Sequence, residues 1–421
     1  MLPDGRSILL VAQFSPPSFV VAARRVAGMT KYLSRLGYRV TILTSRFSGE
    51  ASIEGADAVV RTSDLLASSL NWRRRHVRAP AGKASTTSPP SRLESVVVPD
   101  VSLVSWLPFA LAAAGGLRRR VRPDCVITTS PPQSAHLLGL RLARLGIPWI
   151  AEFRDGWRFE RPRGDWPLRA QRAIDARLER TVVRRADALV AVTTPIAEDL
   201  ERRFGRRVKL ITNAFDPDDV DGGAPGTDSL LRPERFSIVH TGSMGFTGAT
   251  ARPLVEALRL LRHEAPAVAA RLELVFAGLL STDEAALLER SDLAGLVRCV
   301  GSLGRSSVLQ LQRAADLLLV VTEGSRRTSV ATGKLFEYLA TSRPILVLGS
   351  ETEAARIVLA AKRGTATSAD DPRAIAEALR SLVEDGPPAL ADRDELERYS
   401  WRELAAAYGV FVNEVCAAAK P

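Results

Sequence analysis

TGKLFEYLATSRPILVLG, residues 332–349, decides the fold. In a helix starting near Thr332, the apolar Leu335, Phe336, Leu339 and Ala340 share one face, while Lys334, Glu337 and Thr341 line another. The run from Pro344 to Leu348 that follows has no polar alternation. That is the pattern of an inner strand of a parallel sheet, covered on both faces. Thr332 and Gly333 therefore open a helix beside such a sheet. A helix start of this kind exposes unpaired N–H groups and the positive end of the dipole, which suits a phosphate. The alternative is a solvated Lys334/Glu337 pair at i, i+3, which stabilises a helix by only a few tenths of a kcal/mol.

Outward from this stretch, apolar runs alternate with helical patterns along the whole chain, predicting an α/β protein built on parallel sheets. ILLVAQF, a helix over Val20–Leu36 and RVTILTS make a first βαβ unit. VRPDCVITTS, a helix over Ala135–Leu145 and IPWIAEF make another, and ADALVAVTT and VKLITN close the first half. A second series, FSIVHTG, LELVFAG, VRCVG, DLLLVVT and PILVLG, follows a Gly-, Pro- and Asp-rich stretch that reads as an interdomain linker. The expected division is a first Rossmann-like domain over 1–217, a linker over 218–234, a second such domain over 235–394, and a helical segment over 395–421 packing back on the first. Arg73–Ser95, basic and then rich in Ser, Thr and Pro, reads as a surface insertion.

A chain of 421 residues is too long for one ordinary core, at about 150 residues per domain. The net charge of +11 is uneven: residues 1–217 carry +16 and the remainder −5. The basic first half suits an anionic membrane surface, a phosphorylated acceptor or nucleic acid. No nucleic-acid motif or interleaved Arg/aromatic platform is found, so nucleic acid is disfavoured. Cys125, Cys299 and Cys416 lack the paired spacing of a zinc site or disulfide framework and fit a reducing cytoplasm. The start MLPDGRSILLVAQF lacks a signal-peptide pattern. The uncharged run Val101–Leu117 is short for a membrane span and reads as a buried helix, with a membrane interface as the alternative.

Ligand sites in such sheets lie beyond the carboxyl ends of strands, so the candidates are the residues just after them. After the first strand, FSPPSF (14–19) lacks the glycines of a dinucleotide loop, and its Pro17 and Ser18 are candidate acceptor contacts. After IPWIAEF come Arg154, Asp155 and Trp157, types that hold a hydroxylated or phosphorylated substrate by charge-assisted bonds and stacking; the alternative is an Arg/Asp pair pinning a loop. HTGSMG (240–245) follows a strand and is expected to precede a helix, offering N–H groups around Gly242 and Ser243 to phosphate oxygens, with His240 as a further contact. TEGSRRTSVATGKLFE puts Arg326 and Arg327 in a loop ahead of the helix start, so two guanidiniums, backbone donors and Glu337 would share one rim. Phosphates and a ribose diol need such a set. His136 reads as a packed helical residue, and Asp216, Asp218 and Asp219 as a turn rather than a metal site.

Taken together, FSPPSF, LGYRVTILTS, RPDCVITTSPP, IPWIAEFRDGW, ADALVAVTT, VKLITNAFD, HTGSMG and TGKLFEYLATSRPILVLG resemble the family 4 glycosyltransferases of the two-domain GT-B fold, over nearly the whole chain. The RDGW and KLFEYLA pieces look like a bacterial branch that builds envelope polysaccharides, glycolipids or decorated natural products. The resemblance implies two facing Rossmann-like domains with a C-terminal helix crossing back to the first. It implies a nucleotide-sugar donor in the second domain, with Glu337 on the ribose and Thr332, Gly333 and Lys334 near the diphosphate. The acceptor, a glycan, glycolipid or small molecule, would lie in the first domain, with Arg154 and Asp155 in catalytic positions. It further implies retention of anomeric configuration and no bound metal or other cofactor. The cysteine pattern and the basic first half together fit a cytoplasmic location, peripheral on the inner face of the membrane. The chain departs from the family pattern at three points: Ser329 stands where relatives carry a glutamate, Ser243 where they carry an arginine, and no lysine stands a few residues beyond Ser243 where they carry one. A nucleotide-sugar epimerase of the same fold and a non-catalytic sugar or polyanion binder are the rival readings.

Overall fold

The computed structural model describes residues 5–17, 21–46, 52–65, 95–161, 164–220, 230–246, 248–341 and 343–419. Its chain forms two compact units. One takes the described residues up to Ala214 together with those from Tyr399 onward, and the other takes Phe215–Arg398. The expected insertion over Arg73–Ser95 falls, except for Ser95, outside the described residues, as does Ser18.

The first unit is built on a parallel sheet of β1 (Ser7–Val11), β2 (Arg39–Ser45), β3 (Ala56–Thr62), β4 (Cys125–Ser130), β5 (Trp149–Phe153), β6 (Ala188–Ala191) and β7 (Lys209–Leu210), in the order β3-β2-β1-β4-β5-β6-β7. The second holds β8 (Phe236–Thr241), β9 (Leu272–Ala277), β10 (Val297–Gly301), β11 (Leu317–Val321), β12 (Ile345–Leu348) and β13 (Gly364–Thr367), ordered β10-β9-β8-β11-β12-β13. Both sheets reverse direction of growth beside their first strand, between β1 and β4 and between β8 and β11. In doubly wound sheets this switch point is where the ends of adjacent loops part and leave a crevice.

The strand pattern around Pro344 has the expected cause: Ile345, Leu346, Val347 and Leu348 are all buried, because β12 is paired on both edges and covered on both faces. The helix before it runs Gly333–Ala340 and buries Leu335, Phe336, Leu339 and Ala340. Val101–Leu117 forms a short turn of helix at Ser102–Ser105 and then the helix Leu107–Val121. The latter buries Leu107, Ala110, Ala114 and Leu117 but leaves Leu111 exposed. Asp218 and Asp219 lie in a one-turn helix, Pro217–Val220, rather than a turn.

In the first unit the last helix, Trp401–Ala418, packs Trp401, Tyr408 and Val412 into the same core as Ile8 and Leu10 of β1. Its approach to the helix Val21–Arg35 depends on Gly28, where a Cβ would lie 2.2 Å from the Trp401 indole nitrogen. Tyr38 Oη donates to the Gly409 carbonyl at 2.7 Å. Beneath them is a buried ion pair: Arg25 Nε and Nη2 donate to the two Glu152 oxygens at 3.0 and 2.7 Å, and the same guanidinium donates to the carbonyls of Ile211 and Thr212. Burial alone would raise the Glu152 carboxyl, but the charge and hydrogen bonds of Arg25 hold it below its ordinary value.

Candidate active site

The corner at the β8/β11 switch point is assembled from three pieces of chain. β8 ends at Thr241, and the chain turns through Gly242 at φ 107°. The turn is pressed against Gly278, where a Cβ would sit 2.1 Å from the Gly242 carbonyl oxygen, so both positions need glycine. The third piece is the start of the helix Gly333–Ala340. Its Tyr338 oxygen accepts from the Thr241 N–H at 2.7 Å, which ties the helix to the end of β8. Gln312, from the helix Arg305–Ala314, donates to Thr241 Oγ1 at 2.9 Å.

The two charges of the opening stretch have separate partners, so they are not a surface i, i+3 pair. Lys334 Nζ lies 2.8 Å from His240 Nε2 and runs beside Gly242. Glu337 points elsewhere: its Oε1 accepts from Arg305 Nη1 at 2.7 Å, and Arg305 continues to Asp219. Burial lowers Lys334 to about 7 against the opposing charge of Glu337. His240 is pushed well below its ordinary value by burial and then by the Lys334 charge. Both shifts have the cause expected for cations withdrawn from water.

Several sequence expectations need correction. Gly242 does not offer its N–H to a ligand, because that group already donates to the Ala277 carbonyl at 2.8 Å. No helix follows HTGSMG directly; the next begins at Arg252. Ser243 is exposed, and its N–H makes no hydrogen bond among the described residues. The same holds for the N–H groups of Gly333 and Lys334, and the Thr332 hydroxyl is buried without a partner. These donors and Lys334 Nζ could receive an anion of diphosphate type. Arg326 is exposed, whereas Arg327 is buried against Glu323 at 3.1 Å and does not join the rim.

In the first unit Arg154 follows β5 and turns into the loop after β4. Its Nε donates to the Ser130 carbonyl at 3.1 Å, Nη2 donates to the Pro131 carbonyl, and Nη1 is buried without a partner. Burial brings this guanidinium down to about 10, against the charges of Glu152 and Asp155. Asp155 is half-buried and Pro17 exposed. Trp157 is not a stacking platform for substrate: it is 1% exposed, donates its indole N–H to Asp175 Oδ1 at 2.9 Å, and stacks on His136. An indole in that position is part of the core.

Sequence reasoning missed the pairing of His240 with Lys334 and the Arg305 partner of Glu337. The first had a signal: Lys334 and Tyr338 are one helical turn apart, so both reach the same strand end. Arg305 had none, because it lies on a different helix.

Residues 22–214 match the family model described as a glycosyl transferase 4-like domain, and residues 241–385 that of glycosyl transferases group 1. These two models together match most of the chain, which belongs to the glycosyltransferases and has the GT-B fold. Sucrose-phosphate synthase from Thermosynechococcus elongatus is similar over 98% of this chain and 100% of that chain, with 16% identity and a TM-score of 0.66. WaaG, a glycosyltransferase involved in lipopolysaccharide biosynthesis, is similar over 98% of each chain (14% identity, TM-score 0.58). UDP-GlcNAc 2-epimerase from Neisseria meningitidis, solved with UDP-GlcNAc bound, is similar over 97% of this chain and 100% of that one (14%, 0.53). Comparison with curated proteins returns no match.

Proposed function

We propose that the protein is a retaining glycosyltransferase of family 4, moving a sugar from a nucleoside diphosphate donor to a hydroxyl of a lipid-linked, glycan or natural-product acceptor. The observation that carries this is the convergence, at the β8/β11 switch point, of the Ser243 N–H, the N-terminus of the helix Gly333–Ala340 and Lys334 Nζ. The diphosphate lies against these donors. Glu337 accepts from the ribose hydroxyls, since a carboxylate has lone pairs to spare beyond its bond to Arg305. As the bond from the anomeric carbon to the phosphate oxygen breaks, charge accumulates on the leaving diphosphate, and prearranged donors stabilise it more than they stabilise the intact donor. The acceptor oxygen bonds to the same carbon and its proton passes to the departing diphosphate. The first unit takes the acceptor, with Asp155 and Arg154 at the end of β5 and Pro17 after β1. Its basic character suits an anionic membrane surface on the cytoplasmic side. Among the described residues no helix is long and apolar enough to cross a membrane.

The test is thermal melting with UDP, GDP, ADP and dTDP, followed by a product assay. A ligand at a hundred times its dissociation constant stabilises by about 2.7 kcal/mol, so one base should stand out. Glu337→Ala should weaken that nucleotide by about tenfold or more. The second reading, an epimerase, is favoured by the likeness to the Neisseria enzyme and predicts conversion of the donor with no acceptor added.

A further inference from the structure

A lysine side chain on the first turn of a helix is free to sample many rotamers, and ordering it costs up to about 2 kcal/mol. Lys334 is instead held at its tip, with Nζ 2.8 Å from His240 Nε2. The histidine has no choice of tautomer. Its Nδ1 lies 3.0 Å from the Leu319 carbonyl oxygen, which can only accept, so Nδ1 carries the hydrogen and Nε2 presents a lone pair. Lys334 therefore donates to His240. The imidazole cannot swing away, being 1% exposed and packed against Phe276 at 5.5 Å between ring centres. His240 is on β8 and Leu319 on β11, so the chain of bonds from Leu319 to Nζ crosses the switch point itself. It ends beside Gly242, where a Cβ would lie 3.4 Å from Nζ.

We propose that His240 is a positioning residue for the donor's diphosphate, its Nε2 fixing the Lys334 ammonium against the Gly242 turn before the donor arrives. This rests on the donor site proposed above. The groups that bear on the Lys334 charge are few. Glu337, on the same helix, favours the ammonium; Arg305 is bound to Glu337; Tyr338, on the same face, is held neutral by burial; His240, from β8, is a neutral acceptor. With Lys334 near 7, the free enzyme holds a mixture of amine and ammonium at neutral pH. A bound diphosphate favours the ammonium, so binding takes up a proton and weakens as pH rises. An acceptor at His240 also favours the ammonium. Removing it shifts that pH dependence to lower pH, which a purely structural role would not do.

The experiment is calorimetric titration of wild type, His240→Gln and His240→Phe with UDP, GDP, ADP and dTDP between pH 5.5 and 9. His240→Gln keeps an acceptor at the ε position and should stay within about threefold of wild type, while His240→Phe should lose about tenfold at pH 8 and recover much of it at pH 5.5. If His240→Phe does not fold, His240→Asn, which can keep the bond to Leu319 but withdraws the acceptor from Lys334, should show the same pH-dependent loss. An equal loss at every pH, or no loss, overturns the role of His240 while the nucleotide site stands. Failure of wild type to bind any of the four nucleotides overturns both.

Discussion

Arg305 Nη1 lies 2.7 Å from Glu337 Oε1 while its Nη2 lies 2.5 Å from Asp219 Oδ2, so one guanidinium orients the carboxylate proposed for the ribose. The Glu337 side chain is 9% exposed and the Arg305 side chain 39%. A half-exposed pair of this kind contributes about 1 kcal/mol or less, so Arg305→Ala should weaken nucleotide binding by about fivefold at most, less than Glu337→Ala does. Titration of the two variants with the preferred nucleotide checks this. Tighter binding by Arg305→Ala would mean that Arg305 competes with the ligand instead of preparing its acceptor.

The Arg25–Glu152 pair makes a stability prediction in the first unit. Both side chains are almost fully buried. Arg25→Met leaves Glu152 charged in the core with a hydrogen bond from the Thr129 hydroxyl but no cation paired to it, and breaking a buried pair from one side costs about 3 to 5 kcal/mol. The double variant Arg25→Met/Glu152→Met should recover part of that loss. Urea denaturation measures both, and a double variant less stable than either single one would contradict the account.

His136 sets an acid limit. It is fully buried, and its Nδ1 lies 2.7 Å from Thr128 Oγ1. Burial lowers it from 6.5 to about 3, with the Arg154 charge acting in the same direction and Glu152 against it. The unfolded chain therefore binds a proton that the folded one does not between those values. Stability contributed by the neutral form is full above pH 6.5 and is lost as pH falls toward 3, at up to about 1.4 kcal/mol per pH unit. His136→Gln should flatten the stability profile between pH 6 and 4, with the remaining slope including His240.

Trp157 separates packing from substrate contact. Trp157→Phe removes the indole bond to Asp175, which keeps its ion pair with Arg161, and should cost about 1 to 3 kcal/mol of stability, the range for a hydrogen bond to a charged group. Acceptor KM should not change. A large rise in KM with unaltered melting temperature would restore the stacking role.

The inner parallel strands of the two sheets were legible because each carries a mainly apolar run. Of the edges, VKLITN and VRCVG were legible as strands, whereas β3 and β13 were not. β3 has a half-exposed surface and β13 reads GTAT, so neither shows the run that marks an inner strand. β7 shrinks to Lys209–Leu210 for the same reason, pairing on one side only. Within the site, Thr332 to Glu337 were legible as a helix start following a loop. Gly242 was misread because the partner of its N–H, Ala277, is on another strand. Arg327 and Trp157 were misread because a polar residue after a strand looks alike whether it turns outward or into the core.

Sequence alone determined that two parallel α/β sheets would form and that a charged helix start would follow an apolar strand, since periodicity and apolar runs are local properties read directly from residue order. Which way each charge points was decided only by tertiary structure. Lys334 and Glu337 are three residues apart, yet one ends on His240 and the other on Arg305, residues 94 and 32 positions away in the chain. Hydrogen-bond partners at such separations are chosen by how the sheet order brings strand ends together, and no local pattern encodes that.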